Sequence, residues 1–545
     1  MTPAAAPVSY SFAPSERPLF LGSPYTPPHP LGRRVAYALI AVLTGITSNI
    51  VNSMITVNLP NLAGAMGLYI TQILWFPAVY VAFNATANLT LVRARIQFGI
   101  PAVMHGLLGV YAISIAIQLI WPSYAAGLVT CAMSGMAMAA LSSVTLYYLL
   151  QIFPPQKRQK GLLLGISIPQ LGVPLARMIP VEALALDGWQ GLHLMQLGLV
   201  LAVMASTIAV PIPPTDRSKA FEPLDALTIG LSVPGFLLLA GVLSVGRYLW
   251  WTDTPWLGPA LAASAALIAL AVLIEHFRSR PLIQTRWIGT TEMIRFAVVA
   301  FVVRVALAEQ SYGSVGLLTF GGLINDQLHV LFGLVALAMV AGMVVTFLVF
   351  KPERGTHLVL AALLLIALGA ALDTRVTNLT RPPQLYLSQS LIGLGTVLFM
   401  GPALVFGISR VTQRGTQYLV SWVVLFSATQ NLGGLAGAAL LGSWQVDRVR
   451  YHATALSQHL DAANPIVPER LQAGASAVSG ALIDPALRAI EGTSLLGQAL
   501  TGEANILAFA DVFRLGSMIA LANALLVGLI ILVRRRSQAT EKARS

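Results

Sequence analysis

The sequence predicts an all-α membrane protein of about fourteen transmembrane helices with both termini cytoplasmic. Three observations carry that prediction. The 545 residues are 56% hydrophobic and only 10% charged, with a mean hydropathy of +0.75, whereas soluble domains are nearer a quarter charged. Apolar runs long enough to cross a bilayer, about 20 residues each, recur along the chain. Cations gather in alternate short loops, as orientation signals do.

The runs fall at 35–59, 69–91, 99–120, 124–152, 161–184, 191–211, 226–247, 257–276, 295–319, 328–350, 357–373, 384–409, 419–443 and 509–533. One set of loops holds Arg33 and Arg34, then Arg93 and Arg95, then Lys157, Arg158 and Lys160, and continues to Arg534, Arg535 and Arg536. The opposite short loops carry chiefly Arg375 and Arg381. The positive-inside rule therefore places both ends on one side, which requires an even number of spans. The net charge of +12 is used this way and forms no basic stripe with interleaved aromatics, so no nucleic-acid partner is expected.

The organisation follows from composition. Residues 1–32 are Pro-, Ser- and Ala-rich with no apolar core, and read as a disordered cytoplasmic tail rather than a signal peptide. A first six-helix bundle spans 33–212, and 213–294 holds a polar, Pro-rich linker and two extra transmembrane helices. A second six-helix bundle spans 295–533, and 534–545 is a short cytoplasmic tail. Within the second bundle, 444–508 is too long for a turn and too poor in apolar residues for an independent core. It reads as a periplasmic amphipathic cap or docking surface, or else as a solvated loop.

The first span, Arg33 to Pro60, has an unusual second half carrying Thr47, Ser48, Asn49, Asn52, Ser53, Thr56 and Asn58. A lipid-facing helix has no use for so many amides and hydroxyls; a helix lining a polar cavity does. Asn49, Asn52 and Thr56 recur at helical spacing. The other reading is helix–helix adhesion by small polar groups. The same cavity reasoning adds Asn84, Asn88, Gln170, Arg177, Arg304, Glu309, Gln310, Gln430 and Asn431. Gly433 and Gly437 form a GxxxG pair, a helix-packing signal. Cys131 is the sole cysteine, so no intramolecular disulfide is possible. No nucleotide-binding loop, metal-ligand cluster or enzyme signature is present, and no cofactor or metal is expected.

Six spans, a linker and a larger second group suggest the major facilitator fold, built from inverted repeats within halves. Particular residues narrow this. The first span ends Asn52-Ser53-Met54-Ile55-Thr56-Val57-Asn58-Leu59-Pro60; the second carries Trp75, Tyr80 and Asn84-Ala85. Phe153-Pro154-Pro155-Gln156-Lys157-Arg158 follows the fourth, and Trp189 precedes the sixth. Trp250-Trp251, Glu275 with Pro281-Leu282, Trp444, His452 and Ala510-Asp511-Val512-Phe513-Arg514 continue the series. In this order and spacing the chain resembles the fourteen-span drug:proton antiporter family of the EmrB/QacA type. The resemblance implies export of small amphipathic molecules from a bacterial inner membrane. It implies more weakly a periplasmic membrane-fusion adaptor and an outer-membrane channel as partners.

Three charges typical of that family are neutral here: Asn52 replaces its first-span Asp, Cys131 its fourth-span Arg, and Gln430 its Arg in the penultimate span. The fifth-span Gly-Pro motif falls on Ala176-Arg177, with Gly172 and Pro174 nearby. An amide has no titration near neutrality, so coupling cannot pass through position 52. Glu309, with Arg304 in the same span, is then the candidate for a relocated proton site. A static buried ion pair, or a place facing outer-leaflet water, are the other roles open to Glu309. Arg177, with Glu182, could favour an anionic substrate or pair structurally. A facilitator or exporter of one anionic metabolite is the first alternative function, and a transport-inactive receptor or scaffold the second.

Overall fold

The computed structural model describes every residue except 1–12, 14–15, 19–21, 155–156, 461–463 and 545. Much of the expected 1–32 tail, and Pro155-Gln156 of the turn after the fourth apolar run, lie outside the described residues.

Helix α1 (Leu31–Val57) begins after Pro30, whose extended backbone cannot continue a helix backwards, and gives way to the short α2 (Leu59–Ala65) with Pro60 in its first turn. A single turn, α3 (Ile70–Ile73), leads into α4 (Trp75–Phe98). Gly99, at φ +86°, reverses the chain into α5 (Ile100–Ile120), and α6 (Tyr124–Leu150) starts under a Ser123 cap. The next helical stretch is interrupted: α7 (Arg158–Ser167), a 3-10 turn (Ile168–Leu171) and α8 (Gly172–Arg177). Pro169 and Pro174 each lack an N–H for the regular ladder. Helix α9 (Val181–Ala209) closes this group. After the linker come α10 (Pro223–Leu249), α11 (Leu257–Phe277) and the single turn α12 (Thr285–Ile288).

A second interruption comes next: α13 (Thr291–Ala308), a π turn (Glu309–Ser314) and α14 (Val315–Phe320). Then come α15 (His329–Val349), α16 (Gly355–Leu372), α17 (Tyr386–Arg414) and α18 (Leu419–Ser457). The last two are α19 (Ile466–Ala477) and α20 (Pro485–Arg544).

The chain is a multi-pass membrane protein: twelve helices among the described residues are long and apolar enough to cross a bilayer. The two remaining runs expected to span, 161–184 and 295–319, fall on the two interrupted stretches. Those stretches carry Arg158, Lys160 and Arg177 in one, and Arg295, Arg304 and Glu309 in the other, so neither reads as a plain apolar rod.

Helices α1 and α4–α9 pack on one another, as do α13–α18 and α20. The two groups meet where α4 faces α18, α7 faces α17, and α8 faces α15. The α10–α11 hairpin lies at that seam, with α10 against both α4 and α18. Burial separates centre from rim: 83% of the apolar window of the α17 span is buried, against 17% for α11. In α1 the hydroxyls of Thr44, Ser48, Ser53 and Thr56 donate to carbonyls one turn back in their own helix, which satisfies them without water.

The segment 444–508 is largely not a loop. At about 1.5 Å per residue the 39 residues of α18 reach about 58 Å, nearly twice the ~30 Å hydrocarbon core. Its far end, α19 and the first third of α20 make one helical projection. Arg448 Nε and His452 Nε2 meet Asp511 Oδ2 at 2.5 and 2.8 Å, and Gln445 donates to Asn505 at 2.8 Å. The expected tail over 534–545 continues α20 as helix through Arg544.

The GxxxG pair packs α18 on α13. A Cβ on Gly437 would sit 2.7 Å from Ala308 Cβ and 2.9 Å from Val305 Cα. Gly437→Leu should therefore part α13 from α18 and lower stability by about 1–3 kcal/mol or more. Thermal unfolding of the detergent-solubilised protein reads this, and an unchanged midpoint would contradict the contact.

Candidate functional site

Two polar features occupy the middle of the molecule. The first is a cavity of ≈ 70 Å3 between the two groups of helices. Gln170 of the 3-10 turn and Val173 and Arg177 of α8 form one wall. Arg304, Leu307 and Ala308 of α13, Gln310 and Ser311 of the π turn, and Phe332, Met339, Thr396 and Gly434 form the other. Four of the expected pathway residues, Gln170, Arg177, Arg304 and Gln310, thus converge in one space.

Both arginines are held without a carboxylate. Arg177, 8% exposed, lies with its guanidinium carbon 5.0 Å from the centre of the Phe332 ring and donates to Asn325 Oδ1 at 3.2 Å. Asn325 returns a bond to the Arg177 carbonyl at 3.1 Å. Arg304 donates through Nε to the Gln430 carbonyl at 3.3 Å. Gly433 and Gly434 make room for it, since a Cβ on Gly433 would come 2.8 Å from Arg304 Cβ. Among the described residues no ion pair involves either guanidinium. Two cations facing one part-apolar space attract a carboxylate, sulfonate or phosphate group, because partly desolvated opposite charges interact strongly.

The second feature is a buried carboxylate pair. Glu309, 0% exposed, turns away from the cavity toward α16, α17 and α20, with a Gly516 Cβ position 3.4 Å from its own Cβ. Its Oε1 accepts from Gln389 Nε2 at 3.1 Å, and the same nitrogen donates to Asp373 Oδ2 at 2.7 Å. Asp373, 2% exposed, sits in the 3-10 turn that ends α16. Gln310, next to Glu309, lines the cavity and donates to the Gln389 carbonyl at 3.1 Å. Successive residues of a helix point about 100° apart, so Glu309 and Gln310 meet different neighbours; the π turn they open shifts the phase of α14 relative to α13. Glu309 forms no ion pair with Arg304 among the described residues.

The other expected pathway residues stand elsewhere. Asn49 donates to the Pro169 carbonyl at 2.9 Å and so ties the interrupted α7–α8 stretch to α1. Asn52 and Thr56 are half-buried on α1, with Thr56 bonded to Ser53 O at 3.1 Å; no α1 residue borders the cavity. Asn84 donates to Gly135 O and accepts from Asn431 Nδ2, both at 3.0 Å, the latter bond bridging α4 and α18. Asn88 is buried with Oδ1 unpartnered, and neither amide atom of Gln430 has a partner. Glu182 is exposed at the start of α9. His105 bonds Thr207 and His193 bonds Gln196, at 3.0 and 3.2 Å. Trp422 is fully buried against Phe296 and Phe426, a packing role.

Because Asn84 to Asn431 joins the two groups near the cavity, Asn431→Leu should loosen that contact and change the balance of open states. Accessibility of cysteines placed in the cavity wall to a membrane-impermeant thiol reagent would rise by several-fold; an unaltered rate would discount the bridge.

Sequence reasoning missed Asp373, Gln389, Asn325 and Phe332. Asp373 stands at the end of an apolar run and reads as a loop residue. Gln389 did carry a signal, as an amide between Ser388 and Ser390 at the start of an otherwise apolar span.

Two helical groups pack about a central cavity with interrupted helices at its walls, and this polytopic α-helical membrane protein has the fold of the major facilitator superfamily. No protein-family model matches the chain. The chain is similar to YhcA of Bacillus subtilis (strain 168), an uncharacterised MFS-type transporter, with 22% identity over 471 residues covering 82% of each chain. In fold it is similar to the human organic anion transporter MFSD10 (TM-score 0.52, 16% identity, 90% of this chain and 100% of that one). It is also similar to a bacterial homologue of the human drug peptide transporters PepT1 and PepT2 (TM-score 0.53, 12% identity, 92% and 99%). These relatives are membrane transporters, not enzymes.

Proposed function

We propose that the protein is a secondary transporter of a bacterial inner membrane that exports small amphipathic organic anions by alternating access, coupled to protons through Glu309. The observation that carries the substrate class is the pair Arg177 and Arg304, offered from opposite helical groups to one cavity with no carboxylate partner among the described residues. A cationic drug would meet two like charges there, which disfavours the commoner substrates of the EmrB/QacA-type resemblance. Export and proton coupling rest on that resemblance and on Glu309 being the carboxylate nearest the cavity in sequence.

Alternating access has a physical basis in the contacts that close the cavity. At one end Arg177 meets Asn325, and the Val181 N–H donates to Asp326 at 3.1 Å. At the basic end Lys160 lies 4.5 Å over the Phe347 ring, with Phe153 at 5.8 Å from the same ring. Each is a small set of polar or aromatic contacts, weak enough to break in turn. In this reading the stretches 158–177 and 291–320 also cross the bilayer, giving fourteen spans with both termini cytoplasmic. The helical projection at 444–508, where Ile483, Leu487 and Ile490 are exposed, would be where a membrane-fusion adaptor engages.

Efflux of anionic, neutral and cationic fluorescent amphiphiles from cells making the protein tests the reading. Anionic probes should leave fastest, a protonophore should stop them, and Glu309→Gln should remove the protonophore sensitivity. Equal export of cationic probes would defeat the anion assignment. No export of any probe by well-folded protein would favour a receptor or scaffold.

A further inference from the structure

We infer that Glu309 and Asp373 form one two-carboxylate proton site, bridged by Gln389 and tied to the substrate cavity by Gln310. The transport meaning of this rests on the proposed function; the existence of the site does not.

The pair is enclosed on every side. Glu309, Gln389 and Asp373 are 0%, 1% and 2% exposed. Gln389 offers its single amide nitrogen to both carboxylates, and no cation joins them among the described residues. From α13, Arg304 is engaged by the Gln430 carbonyl on the cavity side. From α18 and α20, Arg448, His452 and Arg514 converge on Asp511 instead. Glu309 is reached from α20 by glycine. Asp373 is thus the charged group that meets it.

Two buried atoms of these side chains lack partners: Glu309 Oε2 and Gln389 Oε1. Leaving a buried polar atom unpaired is costly, and two neighbouring anions repel strongly in a low-dielectric interior. One proton removes the repulsion. It forms an O–H bond on Glu309 Oε2, is taken from water on one side of the membrane, and lowers the charge of the pair from −2 to −1. On release it returns to water on the other side; no redox step is involved. Two carboxylates that share one proton behave as a unit, so neither has a titration of its own.

The link to the cavity is a single chain of contacts. Gln310 faces the arginines and holds the Gln389 backbone, while the Gln389 side chain holds both carboxylates. A substrate anion that draws Gln310 toward Arg177 and Arg304 would shift Gln389 and release the site. Occupation of cavity and proton site then exclude each other, which is the requirement of exchange.

The test is pH-difference infrared spectroscopy of the purified full-length protein, with no substrate present. A band from the stretch of a protonated carboxyl should titrate in the wild type. Its midpoint should move by about one pH unit or more in both Glu309→Gln and Asp373→Asn, each of which leaves a single carboxyl, since coupled sites interact by at least that much. Asp373→Glu, which restores a second carboxyl, should bring back a coupled titration and guards against a folding artefact. Sodium added at constant pH should leave the band in place.

A band unchanged in both neutral variants overturns the inference, as does displacement by sodium, which would make this a metal-cation site. The anion-efflux assay separates the two readings. Loss of protonophore sensitivity in Glu309→Gln with an unmoved midpoint in Asp373→Asn keeps Glu309 and rejects the pair. A paired titration without anion efflux keeps the pair and rejects the transport reading.

Discussion

Replacing Arg304 by Gln should lower efflux of anionic amphiphiles by about ten- to a hundred-fold while leaving neutral probes within a few-fold of wild type. A hydrogen bond to a charged group is worth about 1.5–3 kcal/mol, and each ~1.4 kcal/mol is a factor of ten in affinity. Arg304 makes one bond of its own, to the Gln430 carbonyl, so its loss should fall mainly on the substrate. Arg177→Gln should give a similar loss together with a second effect. The Arg177 guanidinium also donates to Asn325 across the closed end of the cavity, so its removal should favour opening there. Arg177→Lys keeps the charge but not the planar guanidinium that lies over Phe332 while bonding Asn325, and should recover only part of the activity. Concentration-dependent efflux resolves these effects as changes in apparent KM and in maximal rate. Equal loss for neutral and anionic probes would mean that the arginines shape the cavity rather than select charge.

Asp225→Asn should be the most destabilising single change outside the membrane core. Asp225, 1% exposed, accepts from Arg93 at 2.5 Å and from Arg278 at 2.7 Å. Arg278 also reaches Glu222 and Glu275, at 2.7 and 3.0 Å, and Glu275 accepts from Thr228 at 2.5 Å. This network clamps the start of α10 and the end of α11 to the end of α4. Removing one partner of a buried pair leaves an uncompensated charge and costs about 3–5 kcal/mol. The loss should appear as a lower thermal unfolding midpoint in detergent and as faster proteolysis of the 211–225 linker. Glu292→Gln provides the contrast. Its bond to Arg410 is 31% exposed on both sides, and surface pairs contribute less than about 1 kcal/mol. If the two variants melted alike, the clamp would be ornamental.

The amino-acid order alone showed where the chain meets lipid, because a bilayer demands runs of about 20 apolar residues and punishes unsatisfied backbone groups between them. It also showed which charges are out of place. Arg177, Arg304 and Glu309 stand in apolar runs, and such groups are expensive there without a function. Asn49 illustrates the limit. Its place among hydroxyls and amides pointed to a cavity, yet it adds a second bond to the Pro169 carbonyl, which also accepts the Gly172 N–H in the 3-10 turn. A backbone carbonyl on a neighbouring helix and a polar group on a substrate attract the same amide, and spacing cannot distinguish them.

Composition and patterning were enough to establish a membrane-embedded helical protein, the cationic ends of its loops and the presence of isolated charges at depth. Which of those charges meet emerged from the packing of the helices. A helix surrounded by other helices is apolar all round, so its periodicity does not say which face looks inward. The π turn at Glu309–Ser314 then changes the phase between α13 and α14, while packing places Gln310 by the arginines and Glu309 by Asp373. That pairing depends on helices brought together by folding, and no local pattern encodes it.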